Sequence, residues 1–108
     1  MKLRPKDKDL LLKIFRQVEE PIEVWAFGSR VNGDAHDGSD LDLVVRSKDL
    51  QKLPLEVYMD LKNRIRESNI PIVVELLDWG RIPERFKSMI EKKYEVLLGL
   101  GIDSNPNP

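Results

Sequence analysis

At 108 residues the chain has room for one modest domain with one core, so any large substrate is expected to meet it in trans. Its 18 Lys and Arg against 19 Asp and Glu leave a formal charge of −1, which removes the electrostatic drive behind non-specific nucleic-acid binding and argues against a coating role on DNA or RNA. With no Cys and one His, thiol catalysis, disulfide scaffolds, zinc fingers and a Ser-His-Asp triad all lose support, and the reactive chemistry that remains is carboxylate.

Around Asp9 to Gln17, the residues Leu11, Ile14, Phe15 and Val18 recur at the spacing of one apolar helix face, and Pro21 ends the pattern. Val24-Trp25-Ala26-Phe27 then reads as a short buried strand stopping at a tight turn, Gly28-Ser29, from which a short helix can start. A polar loop runs through Gly33 and Gly38, with Asp34 and Asp37 as turn formers and His36 exposed. Leu41 to Val45 is a second strand closed by Ser47-Lys48-Asp49. Pro54 opens a helix in which Tyr58, Leu61 and Ile65 share a face before Ser68-Asn69. Ile72 to Leu77 is the most strand-like run in the chain, bounded by Asp78-Trp79-Gly80. Ile82, Phe86, Met89 and Ile90 return to helical spacing, and Tyr94 to Leu98 is either a last strand or the frayed end of that helix.

The order α-β-turn-β-α-β-α implies an α/β (α+β) domain over residues 1–102, a short mixed sheet with helices packed on it, followed by a disordered tail over 103–108. No apolar run approaches the ~18 residues of a membrane span, so a cytoplasmic protein without membrane association is expected. Trp25 and Phe27 are assigned to the core, whereas Trp79 suits core or interface equally.

Chemistry concentrates between Gly28 and Leu43. Asp40 and Asp42 stand two apart in an extended segment, so their carboxylates share one face at roughly 6.5–7 Å along the chain. Amid Leu41, Leu43 and Val44, two like charges cost free energy unless cations neutralise them, and a hard divalent ion such as Mg²⁺ suits such a pair. Gly28 lets the main chain approach a phosphate closely, and Ser29 adds a hydroxyl. Glu75 interrupts the apolar run 72–77, where a solvated charge has no reason to be, and its strand is expected to lie beside the Asp40–Asp42 strand. Three carboxylates on adjacent strands with a phosphate-binding turn fit two-metal phosphoryl or nucleotidyl transfer. Asp78 is the fallback third acid. A P-loop is excluded because Asp34-Ala35 stands where Lys-Ser/Thr is required, and no G-x-G-x-x-G occurs.

Phe27-Gly28-Ser29, ten intervening residues and then Asp40-Leu41-Asp42-Leu43 resembles the signature of the DNA polymerase β-type nucleotidyltransferases. The surroundings, VWAFGSRVNGDAHDGSDLDLVV and VVELLDW, are similar to the minimal nucleotidyltransferase branch, and the likeness spans roughly Val24 to Ile90. The resemblance implies a two-ion Mg²⁺ site on Asp40, Asp42 and Glu75, which are also the catalytic set, and a triphosphate site on Gly28 and Ser29 with ATP as substrate; Arg30 and Ser39, beside these residues, are further candidate nucleotide ligands. Minimal members often carry Asp where this chain has Glu75, one methylene longer. The resemblance further implies a small all-helical partner of the HEPN or substrate-binding type, encoded nearby, onto a hydroxyl of which AMP is transferred, as in a toxin–antitoxin pair. Two other readings compete: a non-catalytic module that neutralises a helical partner by occlusion, and nucleotidyl transfer to a small-molecule hydroxyl. Arg30 either neutralises triphosphate charge or lies on the surface, and Ser29 either binds phosphate or caps the short helix.

Overall fold

The computed structural model describes residues 1–36 and 38–100; Asp37 and the tail assigned to 103–108 lie outside the described residues. Helix α1 spans Pro5–Phe15, starting four residues before the periodic stretch because Pro5, with its fixed φ and missing N–H, is suited to the first turn. It is followed by strand β1 (Ile22–Phe27), the one-turn helix α2 (Ser29–Asn32), strand β2 (Leu41–Ser47) and helix α3 (Leu55–Arg66). Strand β3 (Val74–Asp78), a 3₁₀ turn (Trp79–Arg81), helix α4 (Glu84–Lys92) and strand β4 (Glu95–Leu98) complete the order. Within the segment Tyr94 to Leu98, Glu95–Leu98 is therefore a strand and not a helix end, because it pairs with β1 along the sheet edge.

The four strands form one mixed sheet in the order β3-β2-β1-β4. β1 pairs antiparallel with both β2 and β4, whereas β2 and β3 run parallel and are joined by the crossover through α3. Strand alternation separates two cores. Ile22, Val24 and Ala26 of β1, Leu41, Leu43 and Val45 of β2, and Leu76 of β3 meet Leu11 and Phe15 of α1 and Leu61 and Ile65 of α3 on one face. Each helix presents its buried pair at i and i+4, and burying each such side chain contributes about 1.5–3 kcal/mol. On the opposite face Trp25, Phe27 and Val44 gather Trp79 and Ile90, with Leu77, Ile82 and Phe86 packed against them. Trp79 thus belongs to a core. Among the described residues no helix is long and apolar enough to cross a membrane.

Candidate active site

The second face carries the acids. The register opposes Phe27 to Asp42 across β1 and β2, and Asp42 to Glu75 across the parallel β2 and β3 pair. Residues opposed in a ladder project to the same side, so Glu75 stands laterally beside Asp42 on a neighbouring strand as expected, though as an exposed edge residue and not in the buried setting that its apolar run implied. Asp40 is exposed one residue ahead of β2, Asp42 is half-buried and Glu75 is exposed at the sheet edge. Burial, then Asp40 and then Glu75, push the Asp42 carboxyl above its usual range. Among the described residues no three His, Asp or Glu side chains are gathered closely enough to form a ready-made metal cluster.

At the end of β1, Gly28 has φ +82° and ψ −157°, a conformation essentially reserved for glycine. A Cβ at this position would overlap Asp42 Oδ2, so the glycine lets the turn lie directly against the acid. From Gly28 the chain enters α2 through bonds of 3.0 and 2.9 Å from Val31 N–H and Asn32 N–H to the Gly28 carbonyl. The Gly28-Ser29 turn and two of the three acids therefore meet at one end of the sheet.

Two expected nucleotide ligands have other surroundings. Arg30 is buried beneath the turn, and all three of its side-chain nitrogens donate to main-chain carbonyls of Ser39 and Lys2, so it is neither a surface residue nor turned toward the open face. Ser39 Oγ accepts from His36 N–H at 3.0 Å and stabilises the loop. His36 is exposed as expected, though its Nδ1 also accepts from Gly38 N–H.

Asp78, the fallback acid, does not join the other carboxylates. Three residues from Glu75 in the same strand, it projects to the opposite face, is 1% exposed and accepts from Leu53 N–H at 3.0 Å. It also accepts from Gly80 N–H at 3.4 Å and lies 3.5 Å from Arg81 Nε. Gly80 is required here because a Cβ would run into the main chain of Gln51 and Lys52. Asp78→Ala is expected to destabilise the fold by about 2–3 kcal/mol in a urea melt, since the buried Leu53 N–H loses its acceptor and the Arg81 guanidinium its counter-charge.

Several residues around the site make contacts that the sequence pattern does not specify. Phe86 of α4 packs edge-on against Phe27, with ring centroids 5.9 Å apart, walling the face beside Asp42. Tyr58 donates its hydroxyl to the Leu76 carbonyl at 2.9 Å and so holds the edge strand next to Glu75. Farther along, Arg46 lies 3.8 and 4.4 Å from the ring centroids of Trp25 and Trp79 and pairs with Glu23, stiffening the far half of the face. Apolar spacing indicates that such residues are inside but not which of them touch.

The chain matches the model of the family described as polymerase beta, nucleotidyltransferase, over residues 10–100. It is 37% identical over 97 residues to a probable protein adenylyltransferase MntA of Haemophilus influenzae, covering 88% of this chain and 82% of that one. Among solved structures, a toxin–antitoxin with AMP-PNP superposes with a TM-score of 0.70 at 21% identity, covering 89% of this chain and 76% of the other. A Shewanella oneidensis complex of tri-AMPylated HEPN toxin with MNT antitoxin superposes with a TM-score of 0.67 at 16% identity, covering 94% and 77%.

Proposed function

The chain belongs to the polymerase β nucleotidyltransferase family, and we propose that it transfers AMP from ATP to a hydroxyl of a small all-helical HEPN-type partner, releasing pyrophosphate, as the antitoxin of a toxin–antitoxin pair. The observation that carries this reading is the lateral pairing of Asp42 with Glu75, with Gly28 set directly against the Asp42 carboxylate. Support for ATP, for a protein acceptor and for a HEPN-type partner comes from the relatives: a probable protein adenylyltransferase, a toxin–antitoxin with AMP-PNP, and an AMPylated HEPN toxin held by its MNT antitoxin. ATP as substrate puts the reaction in the cytoplasm.

The donor set fits magnesium. Asp40, Asp42 and Glu75 offer hard oxygens, and the repulsion and burial that raise Asp42 are what a divalent cation relieves. Asp40 and Asp42 would hold two ions between them and Glu75 would complete one. Bound there, Mg²⁺ would offset triphosphate charge and make the acceptor hydroxyl easier to deprotonate. The main chain at Gly28 and the Ser29 hydroxyl bind the triphosphate, and the wall of Phe27 and Phe86 limits water on one side. Glu75, exposed at the sheet edge, is open to the incoming acceptor and can take its proton. The acceptor oxygen bonds to the α-phosphorus, the bond from that phosphorus to the bridging oxygen breaks, and pyrophosphate leaves with the electron pair.

Glu75→Gln tests the reading. Transfer is expected to fall by about 10²-fold or more in a pyrophosphate-release assay with partner, ATP and Mg²⁺, while the thermal midpoint stays within a degree or two because the side chain is exposed. Full activity in this variant would remove Glu75 from the mechanism.

A further inference from the structure

The position of Arg30 does not suit a substrate ligand. Its residue is 7% exposed, and its guanidinium is aimed at the protein's own main chain: Nε and Nη2 donate to the Ser39 carbonyl at 3.1 and 2.8 Å, and Nη1 donates to the Lys2 carbonyl at 2.7 Å. The Arg30 carbonyl in turn accepts from Lys2 N–H at 3.1 Å. Ser39 immediately precedes Asp40, and on the other side of Asp40 the Leu41 N–H donates to the Val73 carbonyl at 2.9 Å. The main chain is thus gripped one residue before and one residue after the first acid. Arg30 also directly follows Ser29 in α2, so a single side chain bridges the Gly28-Ser29 turn and the entry to the acid pair across a loop that has no regular structure in its described residues.

We propose that Arg30 is a positioning residue that sets the spacing between the Gly28-Ser29 turn and the Asp40 and Asp42 carboxylates. The proposal rests on the reading above, in which those two groups act on one substrate. Two N–H groups of a planar, permanently charged fork on one carbonyl oxygen resist sliding of the Ser39 main chain, because a shift loses both bonds together. A lysine supplies one compact charge on a flexible stem and cannot hold the Ser39 and Lys2 carbonyls in the same geometry. Misplacement of reacting groups by about 1 Å can cost about 10²-fold in rate, so the clamp controls turnover more than nucleotide affinity.

The test uses Arg30→Lys, with Arg30→Gln as a second variant should the first be too unstable to purify. Two readouts are taken: hydrogen exchange of the Ser39 and Leu41 amides in the unliganded protein, and the kcat and KM of partner adenylylation. The clamp predicts exchange at those amides at least about tenfold faster with the central β1 and β2 amides unchanged, kcat lower by about 10²-fold and KM for ATP within about threefold. A KM raised tenfold or more with kcat retained would make Arg30 a nucleotide ligand and overturn the proposal. Unchanged protection of Ser39 and Leu41 would overturn it equally, and that result stands even if the wild-type chain proves to have no transferase activity, which would count against the proposed function alone.

Discussion

Asp42→Asn is expected to reduce adenylyl transfer by on the order of 10³-fold or more, about 4 kcal/mol of transition-state stabilisation, while leaving the fold as stable as wild type or more so. The loss follows from position, since Asp42 is flanked by Glu75 on one side and lies against the Gly28 turn on the other. The gain in stability follows from charge. Burial, Asp40 and Glu75 hold the Asp42 carboxyl above its ordinary value of 3.8, so the folded state binds that proton more tightly than the unfolded state. Such a group contributes its stability below the unfolded value, and the contribution is lost as pH rises through the folded value, leaving the ionised carboxylate a net cost at neutral pH. Asparagine removes that cost. Thermal melts at pH 7 check the sign, and added Mg²⁺ with a non-hydrolysable ATP analogue should raise the midpoint of wild type but not of the variant. An Asp42→Asn protein that unfolds yet transfers AMP normally would refute the assignment.

Gly28→Ala is expected to combine two penalties. At φ +82° and ψ −157° any side chain is strained, which costs about 1–3 kcal/mol. The added methyl group must also displace the Asp42 carboxylate, and moving that group is expected to slow transfer by on the order of 10²-fold even when the protein is assayed well below its melting point. A double-mutant cycle with Asp42→Gly separates the terms: the backbone strain persists whatever occupies position 42, whereas the steric part vanishes, so the two substitutions should couple by about 1 kcal/mol. Additive effects would mean that the carboxylate moves aside at no cost.

Much of this site could be read from residue order because it depends on local rules. A glycine before a helix start marks a tight turn, and the two-residue step from Asp40 to Asp42 keeps the acids close enough for Asp40 to raise the Asp42 carboxyl, although Asp40 itself precedes β2. Strand alternation separates Glu75 from Asp78, since three residues apart in a strand means opposite faces. The roles of Arg30 and Asp78 were not legible for a different reason. Their partners are main-chain groups of Ser39, Lys2 and Leu53, which every residue possesses and which no side-chain pattern advertises. Element boundaries moved for similar causes. β3 starts at Val74 rather than Ile72, where its pairing with Leu41 begins, and β4 is a strand because β1 is available beside it.

The most direct test of the central claim is the intact mass of a helical HEPN-type partner encoded beside this chain, measured after incubation with the chain, ATP and Mg²⁺, alongside the same mixture made with Asp40→Ala. The account predicts that the partner gains one or more adenylate units in the first mixture and none in the second. An unmodified partner that nevertheless forms a stable complex would contradict it and make the protein an occluding module instead of a transferase.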